Sequence, residues 1–202
     1  MEEFAISVFG TPAAMGLSVL ALLSALLLIA AAHDLRGHRI PNILILCGAL
    51  LAIALHTILP RGDGFLSLLP GALGPWGALK GLLIGLVVLL PLYLLRGLSA
   101  GDVKLMAMTG AFLGSPEIWW AIFSTFLAGG VLVLAAALRP GVAAQTLKNL
   151  RIMLASAMLR TASGGAVSIP APPSATRLPY GLAIAGGTIV CMIYRAVQLN
   201  MI

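Results

Sequence analysis

No charged side chain occurs between Phe4 and Ala32. The centre of that stretch, "GLSVLALLSALLLIAAA", approaches the roughly 20 apolar residues that a helix needs to cross the hydrocarbon of a bilayer. Inside hydrocarbon every backbone amide must find its partner within the protein, so such a run is restricted to helix. Further runs follow: "ILILCGALLAIALHTIL", "GLLIGLVVLLPLYLL", "IWWAIFSTFLAGGVLVLAAAL" and "RLPYGLAIAGGTIVCMIY". Another, "VKLMAMTGAFLG", is short of a full crossing on its own. The reading is an all-α polytopic membrane protein with six transmembrane helices, at about 12–32, 43–59, 78–95, 102–115, 118–138 and 180–197.

Composition agrees. The 202 residues are 60% hydrophobic and 9% charged, with a mean hydropathy of +1.08. Soluble domains carry about a quarter charged residues, so a water-soluble fold is excluded. The length is expected to hold a single membrane-embedded domain, residues 1–202, with no separate soluble domain. The start "MEEFAISVFG" lacks the positive region of a secretory signal, so the first apolar run is expected to remain as a span.

The net charge of +6 comes without a basic-aromatic cluster, so no nucleic-acid partner is expected. The partner is the bilayer. Six alternating spans place Arg36, Arg39, Arg96, Lys104, Arg139, Lys148, Arg151, Arg160 and Arg177 on one side, and Arg61, Lys80 and Arg195 on the other. By the positive-inside rule the first group is cytoplasmic, and both termini lie outside. Five spans would put Arg139 to Arg177 outside, against the rule. In residues 143–160, Leu147, Leu150, Leu154 and Met158 recur at helical spacing opposite Lys148, Arg151 and Arg160, the pattern of an amphipathic helix at the membrane surface. Cys47 and Cys191 form no CxxC pair. Both are expected as buried free thiols, with neither a zinc site nor a disulfide.

Only six acidic residues are present. Asp34 follows the first span and Asp102 opens the fourth, so the topology puts both at the cytoplasmic end, away from Glu2, Glu3, Asp63 and Glu117. Either aspartate alone reads as a helix-end residue in a wet loop. Two carboxylates at one membrane depth read as a shared site. Close together they cannot both ionise easily and share a proton. One can then take a proton from water while the other donates to a carbonyl. Gly81–Gly85 and Gly110–Gly114 are GxxxG patterns that allow close helix approach, a means of holding Asp102 in place.

The flanks of these aspartates carry a family resemblance. "SAGDVKLMAMTGAFLG" resembles the GxGD segment of the type IV prepilin peptidases, and "HDLRGHRIPN" resembles their other aspartate segment. "RLPYGLAIAGG" is similar to their third short block. The resemblance implies that Asp34 and Asp102 are the catalytic pair of a membrane aspartic endopeptidase, with no metal or cofactor. Gly101 is retained beside Asp102, while Ser99 stands where the motif has its first glycine. Pro179, Tyr180 and Gly181 fall in the third block as residues lining or supporting the site. Lys104, two positions beyond Asp102, reads as a snorkelling cation or as a group tuning the site. His33 could adjust Asp34.

The implied substrate is a prepilin, cut of its short basic leader at the cytoplasmic face of the bacterial inner membrane. The absence of paired CxxC motifs resembles the short form associated with tight-adherence (Flp) pili, for which cleavage without N-methylation is expected. Two other readings remain open at this point. One is a proton- or cation-coupled transporter with an ion between the aspartates, although such sites lie near the midplane. The other is an inactive homologue acting as a scaffold in pilus assembly. Oligomeric state is not legible.

Overall fold

The computed structural model describes residues 11–37, 40–95, 97–137 and 180–201, with Arg151 and Ala155. Its elements are all helical: α1 (Pro12–Gly37), α2 (Asn42–Ile58), α3 (Gly74–Leu94), α4 (Ala100–Ala137) and α5 (Tyr180–Gln198). The chain divides into two compact units, one formed by Met1–Gly129 with Pro179–Ile202 and the other by Gly130–Leu178. The second is described only at the end of α4 and at Arg151 and Ala155. The surface helix expected over 143–160 therefore lies almost wholly outside the described residues. The first unit holds both aspartates.

Four helices, α1, α3, α4 and α5, are long and apolar enough to cross a membrane. α2 is apolar but shorter, at 17 residues. The fourth and fifth expected spans both fall on α4, which is helical throughout except at Gly114, where φ is 77° and ψ is 176°. That left-handed φ costs a glycine little and other residues much. It is the usual stop for a helix, reinforced by Pro116 two residues on. The break separates α4a, residues 100–113, from α4b, residues 115–137.

Contacts with α5 show that the chain reverses at this break. Lys104, near the start of α4a, bonds Asn42 at the start of α2, just past the end of α1, whose Asp34 accepts from Gly181 at the start of α5. Gly129, well along α4b, lies against the hydroxyl of Tyr180 at that same start. Gly187 in mid-α5 packs on Ser124 and Thr125, and Arg195 near the end of α5 pairs with Glu117. One end of α5 thus lies level with the beginning of α4a and against the later part of α4b, while its other end meets the residues just after Gly114. α4a and α4b form an antiparallel hairpin.

The same logic orders the remaining helices. Asp34 meets Gly181 while Gly16 meets Met201, so α1 runs against α5. Asn42, Gly48 and His56 meet Lys104, Met108 and Phe112 in turn, so α2 runs alongside α4a. Gly81 meets Gly110 and Gly85 meets Met106, so α3 runs against it. Within this unit six helical segments alternate in direction, and Asp34 and Asp102 come to the same end.

α4a is the centre of the unit. Every residue from Leu105 to Gly114 is buried, which is why no amphipathic period shows in its sequence. At roughly 1.5 Å per residue it spans about 20 Å, against about 30 Å of hydrocarbon. The glycine patterns explain how it is enclosed. A Cβ on Gly81 would strike the Gly110 carbonyl, and one on Gly110 would strike that of Gly81. Gly85 lies against the backbone of Met106, where a Cβ would come within 2.5 Å of the carbonyl oxygen. The two GxxxG segments face each other, and helix backbones touch.

At the far end from the aspartates, His56 joins three elements. The Leu73 N–H donates to its Nδ1 (3.0 Å), so Nε2 carries the proton and donates to the Phe112 carbonyl (3.1 Å). Phe112 is in the last turn of α4a, where carbonyls lack partners within the helix. The ring also stacks on Phe65, with centroids 4.4 Å apart, and Phe65 belongs to a compact loop closed by Ala72 N–H to Pro60 (2.7 Å) and Gly62 N–H to Ala72 (3.0 Å). Glu117, itself buried, accepts two bonds from Arg195, at 2.8 and 3.3 Å.

The outward faces are apolar: Leu28, Leu46, Val87, Phe123 and Val190 are all exposed, more apolar surface than soluble monomers present to water. Cys47 is exposed on this surface and only Cys191 is buried, correcting the expectation of two buried thiols. An apolar face turned to lipid accommodates a thiol as readily as the interior does.

Gly81→Val or Gly110→Val should therefore destabilise the protein by more than the ~1–3 kcal/mol usual for overpacking, because a backbone rather than a side chain must move. Gly37→Ala, with nothing within 4 Å, should leave the thermal midpoint unchanged. Thermal unfolding in detergent distinguishes the two outcomes.

Candidate active site

α1 continues beyond the apolar run and ends at Gly37, so Asp34 lies within the last turns of a helix rather than in a loop. Its side chain is buried, as is that of Asp102 in the first turn of α4a. The two carboxylates, 68 positions apart, come to the same end of the helices.

Buried carboxylates need hydrogen-bond donors, and each finds one in the backbone of a helix start. The Gly181 N–H, in the first turn of α5, donates to Oδ2 of Asp34 at 2.8 Å. Helix N-termini offer unpaired N–H groups and a favourable dipole for an anion. Proximity requires the glycine: a Cβ at position 181 would stand 2.8 Å from that same oxygen and 3.1 Å from the carboxyl carbon.

Asp102 is held by its own helix start. The Ser99 N–H donates to Oδ2 of Asp102 (2.9 Å), and the Asp102 N–H donates back to the Ser99 hydroxyl (3.3 Å). This reciprocal pair is a capping box, with Asp102 in the position more often filled by Glu. Ser99, the departure from the GxGD pattern, is thus the N-cap of the helix that carries Asp102. The signal, Ser-x-x-Asp, was present in the sequence but masked by the motif reading. Among the described residues neither Oδ1 has a hydrogen-bond partner.

Gly101 is half-buried, and a Cβ there would find ordinary contacts with Ser99 and Ile40 at 3.4–3.6 Å. Tyr180 is half-buried, its hydroxyl packed against Gly129 of α4b. Pro179 lies outside the described residues. Lys104 is exposed, and its ammonium donates to Oδ1 of Asn42 (3.1 Å), tying the starts of α2 and α4a together. It bonds neither aspartate. His33 is exposed and its Nδ1 donates to the Ile29 carbonyl (2.9 Å), which occupies the ring on the outside of α1. Gly129 was not singled out in the sequence; only its packing on Tyr180 reveals it. Among the described residues no three His, Cys, Asp or Glu side chains gather as metal ligands.

Residues 21–134 match the type IV leader peptidase family. That is more than half of the chain, and the chain belongs to this family: it is a multi-pass membrane protease of the leader-peptidase kind. No curated protein and no solved structure matches it.

Ser99→Ala removes the hydroxyl cap and should cost about 1 kcal/mol, while Ser99→Gly should cost only a few tenths, since both keep the N–H that holds Asp102. Gly181→Ala should leave the protein folded but displace Asp34, lowering cleavage at least tenfold. Paired measurements of thermal midpoint and peptidase rate test all three.

Proposed function

We propose that this leader peptidase removes the short basic leader from prepilins of the Flp type by direct attack of water, with Asp34 and Asp102 as the catalytic pair. The observation that carries the reading is that the two carboxylates are buried at the same end of the helices, each with one oxygen held by a backbone N–H. A single proton shared between neighbouring carboxyl groups is the arrangement of aspartic proteases. The carboxylate takes a proton from water as its oxygen attacks the scissile carbonyl carbon. The carboxylic acid gives its proton to the carbonyl oxygen. The tetrahedral species collapses as the proton taken from water passes to the amide nitrogen and the hydroxyl proton returns to the other carboxylate, which frees both products, restores the pair and forms no acyl-enzyme.

In this proposal the helical segments make six crossings of the bacterial inner membrane, with the α4a–α4b hairpin supplying the fourth and fifth. Both termini lie outside and the site opens to the cytoplasm. The charge distribution supports this orientation: Arg36 and Lys104 lie at the site end, and Lys80 and Arg61 towards the other. A site at the boundary suits a substrate whose leader is in water and whose following helix is in lipid. Residues 1–202 act as one peptidase domain. The two cysteines do not form a CxxC pair, which supports cleavage without N-methylation.

Asp34→Asn and Asp102→Asn should each insert and fold normally yet lower cleavage of a prepilin by at least a thousandfold, scored by the mobility shift of the pilin. Substantial cleavage by both single variants would end the proposal. For the topology, cysteines introduced at Lys104 and Lys80 in a Cys47→Ser, Cys191→Ser background should react with an impermeant maleimide from opposite faces of inner-membrane vesicles.

A further inference from the structure

The residue beside Gly181 also belongs to this end of the helices. Tyr180 opens α5 immediately before the N–H that holds Asp34, at the helix ends where Asp102 begins α4a. The phenol does not swing freely. Gly129 on α4b leaves a notch for it: a Cβ there would stand 2.6 Å from the hydroxyl oxygen, 2.9 Å from Cζ and 3.2 Å from Cε2. Tyr180 is only half-buried, and among the described residues nothing accepts its proton. A hydroxyl at the start of α5 is therefore packed against α4b at the end of the helices that carries Asp34, and among the described residues it has no hydrogen-bond partner.

We propose that the Tyr180 hydroxyl donates a hydrogen bond to the scissile carbonyl oxygen and polarises it as water adds, before the carboxylic acid of the pair delivers its proton there. This rests on the assignment of Asp34 and Asp102 as the water-activating pair. Such a donor is worth most when it is fixed before the reaction and aimed where charge develops. The Gly129 notch fixes it, and the covalent link to Gly181 keeps it in register with Asp34. No proton leaves Tyr180. Proton traffic stays with the two carboxyl groups, and the phenol only lowers the energy of the tetrahedral species.

Tyr180→Phe removes one oxygen atom and keeps the ring in its notch. With a prepilin substrate, kcat should fall about 10²-fold, the loss seen for a single oxyanion donor, with KM and the thermal midpoint in detergent unchanged. Gly129→Ala displaces the hydroxyl without removing it. It should lower kcat alone but add little in the Tyr180→Phe background, because both changes act through one group. If Tyr180→Phe keeps kcat within about threefold of the parent while Asp34→Asn and Asp102→Asn are inactive, the phenol is packing only and the inference is overturned. The same holds if Gly129→Ala and Tyr180→Phe lower kcat independently. Cleavage by both aspartate variants would instead overturn the underlying assignment.

Discussion

The structure depends on enclosing a short helix on all sides. From Leu105 to Gly114 nothing on α4a reaches the surface, and a helix so surrounded can neither slide nor rotate without disturbing several neighbours. Asp102 sits at its free end. Backbone contact between Gly81 and Gly110 sets the height of α4a against α3, and the His56 bridge to the Phe112 carbonyl fixes its lower end. In lipid there is little hydrophobic force between helices, so close packing and buried hydrogen bonds must hold the bundle. Here glycine contacts and the histidine supply them where the position of a carboxylate is at stake.

Much of this was legible, and what was not has identifiable causes. Hydropathy marks helices wherever apolar runs are long, and it marked residues 102–115 as incomplete for a crossing. It could not show that the shortfall reflects a core helix, because a segment buried on every face has no period to detect. In the sequence Gly114 is half of a packing motif, and in the structure it is that. It is also the point of reversal, which only its positive φ reveals. By hydropathy the first span ends at about 32, before the polar His33 and Asp34. The helix runs on to Gly37, since Asp34 obtains its donor from α5 and needs no surrounding water.

The partnerships of the site show the same division. Composition and topology were enough to bring Asp34 and Asp102 to one end, because alternation of spans is a strong constraint on which residues share a face. The groups that hold each carboxylate were not predictable from spacing alone. A backbone N–H has no signature in a sequence, and the donor to Asp34 comes from 147 residues away. The Ser99 cap was local and could have been read. Asn42 as the partner of Lys104 could not, because it requires knowing that α2 and α4a run side by side.

Ser99 also separates two kinds of glycine that a motif treats alike. Asp102 is held by the N–H of residue 99, which every residue except proline provides, so a serine there keeps the bond and adds a cap. At position 181 the absence of Cβ is the point, since the Asp34 carboxylate occupies that space. Gly101 belongs to neither kind. A Cβ there would meet neighbours only at ordinary distances, so packing in the resting protein does not demand glycine. Ser99 and Ile40 would stand at 3.4–3.6 Å from such a Cβ, so a methyl group would fit beside Asp102. Of the glycines next to the two aspartates, this is the one whose requirement has to be sought in the complex with substrate rather than in the fold.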